Sequence, residues 1–397
     1  MKVHESENEK NTDIGDIKEY KKKQQLKKNL KFVIFIIIIA VVCGVVFVNR
    51  DAIFEPLRGI FSKVTTTTDD EAGFPVKLPS SSNYSFDKIA DGFALMTDTY
   101  LCSYDSEGTQ VFAVQHGYVN PVCGFSEKSV LIYDKGGYNF ALYSKTSEIY
   151  KQNTENEIIV SASIGAGEYA AVVTSGGQYP NAVYVYDAYG KKVYTRRYID
   201  EKVMQAVISP DNRYLYVTLV KSEGGDIKTK VVKHEINGEE IWNVEIYDSL
   251  SFDISVSEDN IMVITDEKIC HLKAEDGTMA SIYSYKGVLN QFDIALTKES
   301  VFLFDGADKN QTILVLDKDG NVAVTQQYEQ RIKDVEVSEN EVVVLTENDI
   351  RVYDSSLNEK LVHKLEKGYA QIVKSGGNAL TMGGNNIDYI ELQLKGN

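Results

Sequence analysis

Ile313-Leu314-Val315-Leu316-Asp317-Lys318-Asp319-Gly320 is an alternating apolar stretch closed by an acidic turn that ends in glycine. The same closure recurs as Asp105-Ser106-Glu107-Gly108, Asp187-Ala188-Tyr189-Gly190, Ile236-Asn237-Gly238 and Glu275-Asp276-Gly277. Glycine recurs because tight turns of this kind need a positive φ. Lys145-Thr146-Ser147 and Ser355-Ser356-Leu357-Asn358 stand in place of the glycine turn, yet the marks hold their spacing at 108, 147, 190, 238, 277, 320, 357 and 396. A second mark, the end of the strand that opens each unit, keeps the same step at Asp91, Ser126, Ser209, Ser257, Thr297, Ser338 and Ser375. A period near forty residues filled with short strands is the pattern of a β-propeller. The sequence predicts an all-β, eight-bladed β-propeller over residues 74–397, with seven blades as the fallback, preceded by a single transmembrane helix.

The units open near Phe86, Pro121, Ile158, Met204, Phe252, Phe292, Lys333 and Ala370. The eighth has room for only three strands before Asn397, whereas Phe74-Pro75-Val76-Lys77-Leu78 precedes the first unit without a place in it. Pairing that segment with the third strand of the eighth unit would close the ring and remove an open sheet edge; Pro75 is tolerable on an edge strand.

Upstream, Phe32 to Val48 is an unbroken run of apolar and small residues, preceded by seven lysines between Lys18 and Lys31 and followed by a lone Arg50. The run is near the short limit for crossing a hydrocarbon core, and the lysine bias places the N-terminus in the cytoplasm. Its exit, Val48-Asn49-Arg50-Asp51, lacks the small residues of a signal-peptide cleavage site, so an uncleaved anchor is expected. The expected organisation is a cytoplasmic lysine-rich tail at 1–31, a transmembrane helix at 32–48, a juxtamembrane stretch and stalk at 49–73, and an extracytoplasmic propeller at 74–397. Within 49–73, Ile53, Phe54, Leu57, Ile60, Phe61 and Val64 share one helical face suited to the membrane surface, or simply continue the anchor helix.

The formal charge is −16, and the tail carries +3, which leaves −19 on the remainder. A domain that acidic is a poor nucleic-acid binder, and surface acids keep it soluble. Cys43 lies inside the expected span and Cys102, Cys123 and Cys270 are spread over three units, so no structural disulfide is expected. His116, His234, His271 and His363 are scattered, with no metal-ligand spacing. Asp317-Lys318-Asp319-Gly320-Asn321 places its glycine fourth, where a calcium loop of the EF-hand type needs it sixth, and reads as a hairpin turn. The 25 tyrosines are expected mainly as strand formers, with stacking on sugars or anchoring of a partner as the functional reading.

Asp253, Asp293 and Asp334 fall at matching places in the first strands of successive units. First strands line a propeller's channel, so these three are the candidate channel-lining carboxylates, able to bind a cation or a basic partner. The plainer reading is that they face channel water.

Two stretches carry a family resemblance. Ser209-Pro210-Asp211-Asn212-Arg213-Tyr214-Leu215 resembles a turn of surface-layer and TolB-like propellers, and Asn237-Gly238-Glu239-Glu240-Ile241-Trp242 resembles the quinoprotein-like repeat. The units thus resemble quinoprotein-like, YVTN and WD40-like propellers, though Trp242 is the only tryptophan and no Gly-His and Trp-Asp pairs occur. No pyrroloquinoline cofactor is therefore expected. The overall plan is similar to uncharacterised membrane-anchored propeller proteins of anaerobic Gram-positive bacteria. The function expected is a binding or scaffold module for an unknown protein or glycan at the cell surface, held at the membrane by its N-terminal anchor, with no catalytic residue assigned. The alternative is an exported carbohydrate-active hydrolase or lyase using channel carboxylates, and a membrane sensor is disfavoured because the short charged tail has no room for a folded output domain.

Overall fold

The computed structural model describes residues 73–177, 179–307 and 310–392. The expected tail, membrane span and amphipathic stretch lie outside them, and among the described residues no helix is long and apolar enough to cross a membrane. The described chain forms eight four-stranded antiparallel sheets. They are numbered blades 1 to 8 in chain order, with strands a to d from the inside outward. The inner strands are Tyr84–Ile89, Pro121–Phe125, Ile158–Ile164, Lys202–Ile208, Ser251–Val256, Val288–Ile294, Ile332–Ser338 and Gln371–Ser375. Each begins within four residues of the expected opening of its unit, because the flanking turn residues are explicit in the sequence.

Blade 8 takes its outer strand from the other end of the domain. Val76–Lys77 pairs antiparallel with Asn386–Glu391, with Val76 opposite Ile387 and Lys77 opposite Asn386. The closure expected for Phe74 to Leu78 is present, shortened to two strand residues. Phe74 packs its ring 5.3 Å from that of Tyr389, and beyond the strand Leu78 donates its N–H to the carbonyl of Asn385. Pro79 to Asn83 then leads into blade 1 and is pinned there, since Asp98 accepts hydrogen bonds from the backbone N–H of Ser82 and from the side chains of Ser81, Ser82 and Asn83.

The core is not central. Eight apolar clusters each bridge two neighbouring blades, and the one made by Val76, Phe86, Phe93, Leu95, Val373 and Ile387 joins blade 8 to blade 1. Strands b are nearly continuous apolar runs because both of their faces are covered, as in Asn260–Thr265. Much of the tyrosine excess sits in these clusters, with Tyr143, Tyr186 and Tyr216 buried.

The c–d turns explain the glycine period more fully than φ alone. In blades 1, 3, 6 and 7, Asp105, Asp187, Asp317 and Asp354 each use one carboxylate oxygen to accept N–H groups two and four residues on. That holds the turn even in blade 7, where Leu357 takes the positive φ. In blade 2 the Ser144 hydroxyl accepts the N–H groups two and three residues on. At Gly190, Gly277 and Gly320 the glycine has a second reason, a side chain on strand d of the preceding blade that rests on it, whereas Gly238 meets only Glu235 of its own turn and Asn237 takes the positive φ there. A Cβ at Gly190 would stand 2.6 Å from the Tyr150 ring, and one at Gly277 would stand 2.8 Å from Trp242, whose indole N–H donates to the Glu275 carbonyl at 3.0 Å. Trp242 occupies the first strand-d position beyond a β-bulge, and Phe112, Tyr150, Tyr194, Ser281, Val324 and Leu361 stand at the same place in other blades. The quinoprotein-like tryptophan is thus one of several residues doing the same packing.

Deleting Phe74 to Leu78 exposes the blade 8 edge and opens the 8–1 cluster, so the single thermal transition moves down by several degrees or more; an unmoved transition contradicts the closure. Gly277→Ala imposes both a positive φ and a collision with Trp242 and destabilises by about 2–3 kcal/mol, whereas Gly224→Ala, at φ +66 in open space, costs about 1 kcal/mol; equal losses would show that the blade contact adds nothing.

Candidate functional site

Strands a stand closest to the axis, each packed against the strand a of the next blade around much of the ring. Most carry a β-bulge near their start, which fixes which side chain points where. The bulge separates Ile159 from Ser161, Val203 from Gln205, Ser251 from Asp253, Leu289 from Gln291 and Ile332 from Asp334. Ser161, Gln205, Asp253, Gln291 and Asp334 are therefore the equivalent residues of blades 3 to 7. Ser163, Ser255, Asp293 and Glu336 lie two residues further along, in a second layer.

This corrects the sequence expectation in one respect. Asp253 and Asp334 share a layer, but Asp293 is level with Glu336 rather than with Asp334. All three strands carry the bulge, so the difference lies at the other end: the a–b turn of blade 6 is longer, running from Ile294 to Ser300 against Val256 to Asn260 and Ser338 to Glu341, and counting back from that turn carries Asp293 two residues past the layer. The missing members of the set, Glu336 and Asp87 of blade 1, are also acids on strand a, and the legible signal was their alternation with Val335, Val337, Phe86 and Lys88.

Most of these side chains already have a task. Ser161, Gln205 and Gln291 donate to the carbonyls of Met204, Phe252 and Lys333, each on strand a of the following blade, at 3.2, 2.7 and 2.9 Å. Ser163 donates to the Ala206 carbonyl at 2.6 Å. The carboxylates take the complementary role: Asp293 accepts the Val337 N–H at 2.7 Å, Asp334 that of Ile372 at 2.9 Å, and Glu336 that of Lys374 at 2.6 Å. Hydroxyls and amides satisfy carbonyls, acids satisfy N–H groups, and both fasten one blade to the next. Asp253 instead accepts the N–H of its neighbour Ile254, and Asp87 that of Lys88.

Enclosure by the inner strands makes the ionised forms costly. Burial raises Asp87, Asp253 and Asp293 above the usual carboxylate range, pushes Asp334 up to about 6 and raises Glu336 well above its ordinary value. The backbone hydrogen bonds oppose that rise in each case. Mutual repulsion adds to it: Asp293 acts on Asp87, Asp334 and Glu336, which joins blade 1 to blades 6 and 7 electrostatically, while Lys88 lowers Glu336. Among the described residues no three of His, Cys, Asp or Glu are grouped so as to hold a metal ion.

The other titratable groups are packing elements. His234, buried, shares a 2.9 Å hydrogen bond with the Tyr198 hydroxyl and is pushed down to about 4 by burial. His116 bridges the Thr97 carbonyl and the Tyr118 N–H, and His271 lies under Gly320. Lys233 donates to the Ala274 carbonyl at 2.7 Å with its ammonium 4.0 Å from the Tyr214 ring centre, clamping blade 4 to blade 5. Cys102, Cys123 and Cys270 are free thiols. Two clefts open on the surface: one of about 440 Å³ between blades 5 and 6, lined by Tyr283, Lys286, Phe304, Thr312, Thr325 and Gln327, and one of about 250 Å³ beside Arg213 and Asn237.

Eight blades, a closing N-terminal strand and a polar channel define a β-propeller. The chain belongs to the family described as "Family of unknown function (DUF5711)", which it matches over residues 65–392. No curated protein matches it. Among solved structures it is similar to BamB from Moraxella catarrhalis, at 8% identity and a TM-score of 0.52, covering 78% of this chain and 96% of that one. It is also similar to Saccharomyces cerevisiae Sqt1, at 9% identity and 0.58, covering 82% and 99%. The C-terminal WD40 domain of Sif2 matches at 8% identity and 0.56, covering 82% and 100%. These likenesses establish the propeller fold.

A carboxyl raised in the folded protein stabilises it fully only below the unfolded pKa, and that contribution is lost as pH rises through the folded value. For Asp334 the loss is complete above about pH 6. Asp334→Asn keeps an acceptor for only one of the Val335 and Ile372 N–H groups and removes the charge, so its stability relative to the native protein is lower at pH 4 and improves by about 1 kcal/mol or more at pH 7.5. Chemical denaturation at the two pH values measures this, and a difference between variant and native protein that does not change with pH would contradict the assignment.

Proposed function

We propose that this chain is a membrane-anchored extracytoplasmic β-propeller that acts as a binding or scaffold module for a protein or glycan at the cell surface. The observation that carries the binding reading is the commitment of the inner polar ring: most of the side chains facing the axis are spent on fastening successive blades, and Asp253 and Asp87 are the exceptions. The surface left available to a ligand is that of the loops at the two ends of the ring. A propeller supplies such surface from every blade on a rigid frame, and its neighbours BamB, Sqt1 and the Sif2 WD40 domain share that frame. The membrane and cell-surface parts rest on the sequence alone: the apolar run 32–48, its lysine-rich flank and the acidity of the chain beyond it. Tethering raises the local concentration of even a weak site.

The alternative, a carbohydrate-active hydrolase or lyase, is favoured by one observation, the rise of Asp334 into the range of a general acid. Against it, the two oxygens of Asp334 accept the N–H groups of Val335 and Ile372, which leaves neither directed at a substrate.

Topology and binding are tested on the full-length protein in cells. A cysteine placed at Glu107, on an exposed turn, reacts with a membrane-impermeant maleimide in intact cells, and one placed at Ser6 reacts only after lysis. The reverse pattern overturns the topology. In the same membranes, crosslinking and mass spectrometry return a reproducible partner contacting the blade ends; contacts confined to lipid and chance neighbours would count against a scaffold.

A further inference from the structure

The two ends of the ring differ. One end carries the a–b and c–d turns, and it is rich in acids such as Asp105, Glu107, Asp276, Asp317, Asp319 and Asp354, with Tyr189 exposed in its turns and Val111, Ile149, Ile241 and Val322 exposed at the starts of the adjoining strands d. The other end carries the b–c loops and the connectors between blades. There, besides Val119 and Tyr138 over blades 1 and 2, large apolar side chains stand uncovered over successive blades 3 to 6: Ile158, Ile199 at 67%, Tyr247 at 56%, Phe252 at 43% and Val288 at 71%. Leaving an arc of such side chains in water is costly unless it is used.

The channel mouth beside this arc is acidic. Strands a begin at the connector end, so the layer containing Asp253 and Asp334 is the one nearer to it, with Asp253 directly after Phe252 in the chain. Phe252 is fixed from both sides, its carbonyl holding the Gln205 amide at 2.7 Å and its ring 6.3 Å from that of Phe292. In that same layer the Gln291 and Gln371 side-chain carbonyl oxygens are buried without a hydrogen-bond partner in the structure. The carboxylate charge in this layer is complemented by a ligand carrying an N–H-rich cation.

The described chain begins at the opposite end. Gly73 lies against the Glu107 carbonyl in the c–d turn of blade 1, and Phe74 against Gly108. Gly73 therefore stands on the acidic turn face. Aliphatic Ile and Val side chains dominate the arc, which suits side chains of a protein better than the flat faces of sugar rings.

We infer that the connector face of blades 3 to 6 is the docking surface for a partner protein, through a segment that sets apolar side chains on the arc and directs a lysine or arginine to the acidic channel mouth. This deepens the binding reading above and rests on it. The apolar arc supplies burial, and the net negative charge of the propeller speeds the approach of a basic segment.

The test uses the full-length chain in lipid nanodiscs and fluorescently labelled synthetic peptides of three compositions: apolar with lysine and arginine, apolar with glutamate, and lysine and arginine with glycine and serine. The first pool binds, and each of the others binds at least about tenfold more weakly, because either burial or charge is missing. Ile199→Ser with Val288→Ser, both exposed and so tolerated by the fold, weakens the first pool by about tenfold, while Tyr189→Ser on the opposite face leaves it unchanged. Asp253→Asn weakens it as well and reduces its dependence on salt. Binding lost with Tyr189→Ser and kept in the arc variants overturns the face assignment while the binding reading stands. A labelled glycan array bound in place of every peptide overturns the protein partner and leaves a glycan module. Failure of peptides and glycans alike removes both the inference and the reading beneath it.

Discussion

Everything in this molecule depends on closing a ring. None of the blades owns a core: each buries its apolar faces only against the next, and the eighth reaches the first through Val76 and Ile387. A linear stack of the same sheets would leave two apolar faces in water and the eighth blade without its outer strand. Joining the ends removes both at once, with two residues of strand and the rings of Phe74 and Tyr389. The brevity of that outer strand also accounts for the partial exposure of Tyr389, which in other blades a full strand d would cover.

Inside the ring the same constraint sets the chemistry. Strands a converge near the axis, where their unpaired backbone groups meet little water, so neighbouring side chains supply the partners. Serine and glutamine meet carbonyls, and aspartate and glutamate meet N–H groups, in two layers. The acids are retained at an electrostatic cost visible in the rise of Asp334 and Glu336, which is expected when several carboxyls share a narrow channel. Their position reads first as mechanical, and their charge is left over for a ligand that approaches the mouth.

Much of the fold was legible because it is written in turns. Glycine and aspartate at the c–d turns located most of the blades, and the orphan segment at Phe74 announced the closure. Two things were not legible. The longer a–b turn of blade 6 put Asp293 two residues out of the layer of Asp253 and Asp334, and the alternation of apolar residues does not show where that turn begins. The docking role of the c–d glycines was hidden too, because the residue that rests on each, tyrosine in one blade and tryptophan in another, varies in type and belongs to the preceding unit. For the site, the sequence could name acids on inner strands, but which of them satisfy a neighbour's backbone is a property of the assembled ring.

The central claim is that the eight blades form one cooperative ring closed by the N-terminal strand, and native-state hydrogen exchange measures it most directly. If the ring opens only as a whole, amides in the interior of strands b of blades 8 and 1, such as Leu380 and Leu95, exchange with the same free energy as those of blades 3 and 4, such as Val172 and Val217. Faster, independent exchange of blades 8 and 1 would show that the seam opens alone, and would contradict a closed ring as the basis of the structure.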